Sequence, residues 1–93
     1  MIPEKFVDKI KWFPEYGSVL RKIRVDAGLS LRDLSKKTKL SCNYISKIEL
    51  SKSGDKLIKS VSIDNLKLLC RELSISLDDL LLRISKTTFK QKG

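Results

Sequence analysis

The chain contains no histidine. That removes the commonest general base, the commonest metal ligand and the partner that activates Ser or Cys nucleophiles. Cysteine is nearly absent as well. Cys42 and Cys70 match no metal-ligand spacing, and two thiols make a thin disulfide framework, so a reducing, cytoplasmic setting is expected. No window of 18 apolar residues exists, so no membrane span is expected. The start, Met1-Ile2-Pro3-Glu4-Lys5, lacks the apolar stretch of a secretory leader. Acidic residues are few, 11 against 20 Lys plus Arg. These absences argue against an enzyme. They leave no candidate catalytic, cofactor-binding or metal-binding residues and no expected cofactor.

What is present is a chain of 93 residues, 41% apolar, enough for one compact core and too apolar for a disordered chain. The net charge of +9 is unevenly placed. Residues 1–20 are neutral. Residues 21–59 carry eleven basic side chains (Arg21, Lys22, Arg24, Arg32, Lys36, Lys37, Lys39, Lys47, Lys52, Lys56, Lys59) against four acidic ones, a net +7. Residues 60–84 come to −1, and Lys86, Lys90 and Lys92 make the end +3. A localised positive field attracts a polyanion: nucleic acid, an anionic membrane or an acidic protein. The basic stretch is not one amphipathic helix with a broad apolar face, which disfavours the membrane surface.

Helical periodicity dominates the remainder. Phe6, Val7 and Ile10 fit a short N-terminal helix. Pro14 suits a first turn, Val19, Leu20 and Ile23 form a stripe over 15–27, and Gly28 stands at the C′ position. Ser30 begins a second helix, 31–38, with Asp33 three residues on. Ser41 begins a third, 42–50, with Ile45 and Ile48 inward. Residues 51–61 read as a basic loop, and only Leu57 to Ile63 alternates as a strand would. Ser62 precedes a fourth helix through Ile63, Leu66, Leu69, Cys70 and Leu73. Ser76 precedes a fifth with Leu77, Leu80, Leu81 and Ile84, after which the polar residues from Thr87 should fray. The expected fold is all-α: a compact bundle of five short helices, with a sixth over the N-terminal segment as the variant. The expected units are an extension at 1–14, a domain at 15–84 and a basic tail at 85–93.

The run Leu20-Arg21-x-x-Arg24-x-x-x-Gly28-Leu29-Ser30-x-x-x-Leu34-Ser35-x-x-Thr38-x-Leu40-Ser41-x-x-Tyr44-Ile45-Ser46-x-Ile48-Glu49 resembles the lambda-repressor/Cro-like helix-turn-helix family, of xenobiotic-response-element type. Ser62-Ile63-x-x-Leu66-x-x-Leu69-Cys70-x-x-Leu73-x-Ile75-Ser76-Leu77-Asp78 continues the likeness, which spans roughly residues 19–82. The resemblance implies a double-stranded DNA partner, with helix 42–50 in the major groove. Base contacts then fall to Cys42, Asn43, Ser46 and Lys47. Asn can bond adenine bidentately, and Lys donates to guanine. Phosphate contacts fall to Arg32, Lys36, Lys52 and Lys56, with Tyr44 between the packing and phosphate roles. The resemblance also implies an Arg24–Glu49 ion pair.

Three positions depart from the family pattern. Leu31 replaces the usual Gln at the start of the second helix. Lys39 stands where the turn often has Gly, and a left-handed Lys costs on the order of 1 kcal/mol. The 50–61 connection is longer than usual, and its Gly54 and three lysines suggest a basic lobe along the DNA backbone.

The resemblance further implies a homodimer reading two half-sites, since one short helix buries little surface. Leu68, Leu81 and Leu82 exceed what the core stripes need and are the expected interface, with Trp12 and Phe13 as further apolar candidates. The expected function is a sequence-specific transcriptional regulator, most simply a repressor on a palindromic operator. The alternative is a restriction–modification controller or antitoxin-type regulator that also binds a protein partner.

Overall fold

The computed structural model describes residues 9–92, with side chains through Thr87. Five helices carry the architecture: α1 (Pro14–Asp26), α2 (Leu31–Thr38), α3 (Cys42–Leu50), α4 (Ile63–Glu72) and α5 (Leu77–Lys92). Short strands accompany them: β1 (Lys9–Lys11), β2 (Lys52–Ser53), β3 (Lys56–Leu57) and β4 (Ser60–Ser62). Leu20, Leu34, Ile45, Ile48, Leu66, Leu69 and Leu80, from all five helices, are fully buried and form the centre.

The helix starts are where the serines stand. The hydroxyls of Ser30, Ser41, Ser62 and Ser76 accept from the amides of Asp33, Tyr44, Asn65 and Asp79. Each satisfies one of the amides a helix start leaves unpaired. At α2 the Asp33 carboxylate accepts in return from the Ser30 amide, which completes a capping box. Pro14 occupies the first turn of α1. Gly28 follows the end of α1 at φ +76°, a conformation that costs glycine little.

Three sequence expectations are corrected. Residues 9–11 form a strand, not the end of a helix. β1 pairs antiparallel with β4 (Lys9 with Ser62, Ile10 with Val61, Lys11 with Ser60) because an alternating partner lies beside it, whereas a helix so short would be marginal. Phe6 and Val7 of the expected helix lie outside the described residues. Residues 51–61 are not a plain loop: β2 and β3 form a hairpin around Gly54-Asp55, with Gly54 at φ +66°, and β4 follows. Finally, α5 continues to Lys92 instead of fraying from Thr87. No Gly or Pro interrupts it before Gly93.

Trp12 is a further correction. It is 2% exposed and belongs to the core, not to an outer face. Its Nε1 donates to the Ile48 carbonyl at 2.8 Å, and its ring stands edge-on to Tyr16, centroids 5.3 Å apart. The adjacent Ser51 hydroxyl, fully buried, donates to the Phe13 carbonyl. The segment entering α1 is thereby tied to the C-terminal end of α3.

α1 and α3 meet closely at Gly17. A Cβ there would overlap the carbonyls of Ile48 and Glu49 on α3. Two turns further along α1, Arg24 joins three elements. Its Nε and Nη2 donate to the Glu49 carboxylate at 2.6 and 3.1 Å, and its Nη1 donates to the Leu29 carbonyl at 2.7 Å. Both partners are buried, so the expected ion pair is present and bidentate. Loss of either member would leave a buried charge unpaired, at a cost of about 3–5 kcal/mol.

Two outcomes follow from this packing. Gly17→Ala gains up to ~1 kcal/mol of helix propensity. The displaced neighbours are backbone, though, and overpacking costs about 1–3 kcal/mol. Net destabilisation in denaturant titration is expected; an unchanged or raised midpoint would contradict the contact. Burial pushes the Cys70 thiol up from an ordinary 9.0 to about 11, whereas Cys42 is half-buried. At pH 8 an aromatic disulfide reagent should therefore titrate Cys42 in the folded protein and reach Cys70 only in denaturant. Equal reactivity of both thiols in the folded state would refute that burial.

Candidate nucleic-acid interface

α2, the turn 39–41 and α3 form the helix-turn-helix unit. The turn is tight because Lys39 adopts φ +67°, ψ 11° and its amide bonds the Ser35 carbonyl. Lys39 thus takes the left-handed conformation that a glycine in the turn would adopt at less cost. Ser35 is small enough to sit at the crossing, where its hydroxyl donates to the Leu40 carbonyl at 2.6 Å. Thr38, buried, accepts from the Leu40 amide and donates to the Leu34 carbonyl. The turn's polar groups are satisfied internally, which holds the two helices in one relative position.

On α3, Ile45, Ile48 and Glu49 face inward. Asn43 and Lys47 are exposed. Leu50 lies on the same stripe at i+7 from Asn43 and is 60% exposed, an outward position that sequence reasoning missed although the spacing marks it. Ser46 is half-buried at the stripe's edge. Cys42 is also half-buried, rotated toward the side that Glu49 occupies. The four residues expected to touch bases thus share one helix but not one exposure: Asn43 and Lys47 stand clear, while Ser46 and Cys42 flank them.

Tyr44 is half-buried, and its hydroxyl accepts a 2.8 Å bond from Asn65 Nδ2 on α4. This ties the first turn of α3 to the first turn of α4. The phenolic proton is left for a further acceptor.

Arg32 and Lys36 are exposed one turn apart on α2. The start of α2 is less open to an anion than the sequence suggests. Ser30 takes the Asp33 amide, and the amide and hydroxyl of Ser30 hold the Asp33 carboxyl below the usual carboxylate range. A permanent negative charge therefore sits at the positive end of the helix. Arg32 and Lys36, not free amides, are the positive groups exposed here. Leu31, in the place of the family's Gln, is half-buried and packs on the core.

Lys52 and Lys56 are exposed on the β2–β3 hairpin, which follows directly from α3. Arg24, by contrast, is consumed by Glu49 and Leu29. Among the described residues, no three Cys, Asp or Glu converge as a metal site would require. No described helix is long and apolar enough to cross a membrane.

Comparison with known proteins accords with this geometry. A helix-turn-helix family model (HTH_3) matches residues 20–80, from the middle of α1 into α5. The chain is similar in structure to the clp gene regulator ClgR from Corynebacterium glutamicum: TM-score 0.70 and 30% identity, over 85% of this chain and 78% of that one. It is also similar to the restriction-modification controller protein C.Esp1396I: TM-score 0.67 and 28% identity, over 83% of this chain and 92% of that one. A tetramer of that controller bound to its natural 35 base-pair operator matches at TM-score 0.63 and 28% identity, over 78% of this chain and 88% of that one. No curated protein matches the chain in sequence. With its helix order, capped turn and matched span, the chain belongs to the lambda-repressor/Cro-like helix-turn-helix family of DNA-binding transcriptional regulators.

Proposed function

We propose that the protein is a sequence-specific repressor that binds a pseudo-palindromic operator as a dimer, with α3 in the major groove. The observation that carries this reading is the Asn43–Lys47–Leu50 stripe, outward on a helix whose opposite face is fixed in the core. A rigid helix presenting a donor–acceptor amide, a cation and an apolar side chain can read adenine, guanine and the thymine methyl. Ser46 and Cys42 contribute at the margins of the stripe. Arg32 and Lys36 hold the backbone on the α2 side, and Lys52 and Lys56 hold it beyond the end of α3. Tyr44 supports α3 through Asn65 and offers its remaining proton to a phosphate.

The dimer reading rests on α5. Leu81 and Leu82 are 37% and 54% exposed there, in the region of the chain without net positive charge. Leu68 on α4 is half-buried and belongs to the edge of that surface. Two recognition helices one helical turn apart would double the buried area, which a single small module leaves at about 600–1,000 Å².

A second reading is favoured by the likeness to C.Esp1396I, which spans most of that protein's length. On it, this chain controls a restriction–modification system, or acts as an antitoxin-type regulator with a protein partner. The genes beside its own distinguish these: a methyltransferase and nuclease pair for a controller, a toxin for the other.

Selection of bound sequences from random duplexes is the direct test and should return a two-fold symmetric site. Lys47→Ala and Asn43→Ala should each relax discrimination at one base pair by about 1–3 kcal/mol, whereas Lys52→Ala should weaken all sequences alike. An unchanged preferred site and affinity in Lys47→Ala would remove α3 from the groove. The double variant Leu81→Glu, Leu82→Glu should sediment as a monomer at tens of micromolar and bind the full operator no better than a half-site. A dimeric variant would place the interface elsewhere.

A further inference from the structure

β1 lies wholly outside the matched span 20–80, yet it is paired with β4 inside that span. Two sets of bonds fix its place. At its C-terminal end, Trp12 Nε1 bonds the Ile48 carbonyl, and the Phe13 carbonyl accepts from Ser51, both at the last turn of α3. At its N-terminal end, Lys9 pairs with Ser62, and Ser62 caps α4 through the Asn65 amide. Asn65 in turn bonds Tyr44 in the first turn of α3. A three-residue strand covers about 10 Å. The rise of α3 from Tyr44 to Ser51 is also about 10 Å. The β1–β4 ribbon is therefore linked to α3 at both ends, directly through Trp12 at its last turn and through Ser62 and Asn65 at its first.

The ribbon has two unlike faces. Val61 is buried and Ile10 half-buried against the core. By the alternation of a strand, Lys9, Lys11 and Ser60 lie on the other face, and all three are exposed. No described carboxylate lies within ion-pair distance of Lys9 or Lys11.

A helix with its side chains is about 10–12 Å across, and the major groove is about 12 Å wide. A helix that enters the groove fills it, so an element flanking that helix stands over the phosphate wall. α2, with Arg32 and Lys36, precedes α3 in the helix-turn-helix; the ribbon adjoins the Tyr44 and Ile48 side of α3. We propose that the outer face of the β1–β4 ribbon is a further phosphate-binding surface, in which Lys9 and Lys11 contact the DNA backbone bordering the groove that α3 enters. The proposal rests on the DNA-binding reading above and adds a contact outside the family's matched segment.

The test is the salt dependence of binding to a mixed-sequence duplex and to the selected operator. Each lysine that neutralises a phosphate contributes about 0.9 to the slope of log K against log salt. Lys9→Ala with Lys11→Ala should therefore flatten the slope by about 1.8 per protomer. Base preference should be unchanged, and ethylation interference should be lost at phosphates of one groove wall. Lys9→Arg with Lys11→Arg should restore the slope. Lys22→Ala is the control, since it removes one positive charge in the cleft between α1 and α5 and so sets the shift per charge away from the ribbon. A ribbon variant whose slope matches wild type, or shifts per charge no more than Lys22→Ala, overturns the proposal. So does a variant that self-associates with an unchanged slope, because the lysines would then serve only to keep the strand edge from pairing. If the wild-type protein shows no salt-dependent duplex binding, the DNA reading itself fails. If only the ribbon variants are silent, that reading stands without this contact.

Discussion

Everything on the exposed side of this molecule depends on how the last turn of α3 is held against α1. Within four residues, Ile48 to Ser51, that turn receives the Trp12 indole, the Gly17 backbone, the Arg24 guanidinium and the Phe13 carbonyl. The four constraints are of different kinds. One is steric, one is a charge pair, and two are hydrogen bonds that leave buried polar groups satisfied. Together they immobilise a helix of nine residues that would not persist alone in water. A reading helix needs that rigidity, because a shift of its axis would move every outward side chain against the base edges at once.

The same arrangement decides which charges remain for an external partner. Arg24 lies in the basic stretch, but its donors are spent on Glu49 and Leu29. Asp33 lies among exposed cations and stays ionised at the start of α2. That carboxylate caps its helix while reducing the attraction of the helix end for phosphate. The cations left exposed lie on α2, α3, the hairpin and β1. The leucine-rich stretch 60–84 carries a net charge of −1.

Much of the fold was legible because the signals were local and agreed with one another. Four serines opened four apolar-periodic runs, and all four cap helices. Ile45 and Ile48 could be placed inside and Asn43 and Lys47 outside from spacing alone. What failed depended on distant partners. Three residues such as Lys9–Lys11 have no readable period, and they form a strand only because β4 lies beside them. Trp12 looked like spare apolar surface. Its pocket is assembled from residues far along the chain, and its bond to Ile48 spans 36 positions.

The sequence by itself determined the number and order of helices, their starts, the inward face of each and the site of the positive charge. These follow from short-range chemistry, since capping bonds and apolar periodicity act within a turn or two. Only the tertiary structure decided that Trp12 belongs to the core, that 51–61 is a hairpin and a strand, and that Leu50 completes the outward stripe. It alone paired β1 with β4. Those outcomes rest on contacts between segments far apart in the chain, where pairing partners, close backbone approach and burial are set by packing and carry no local signature.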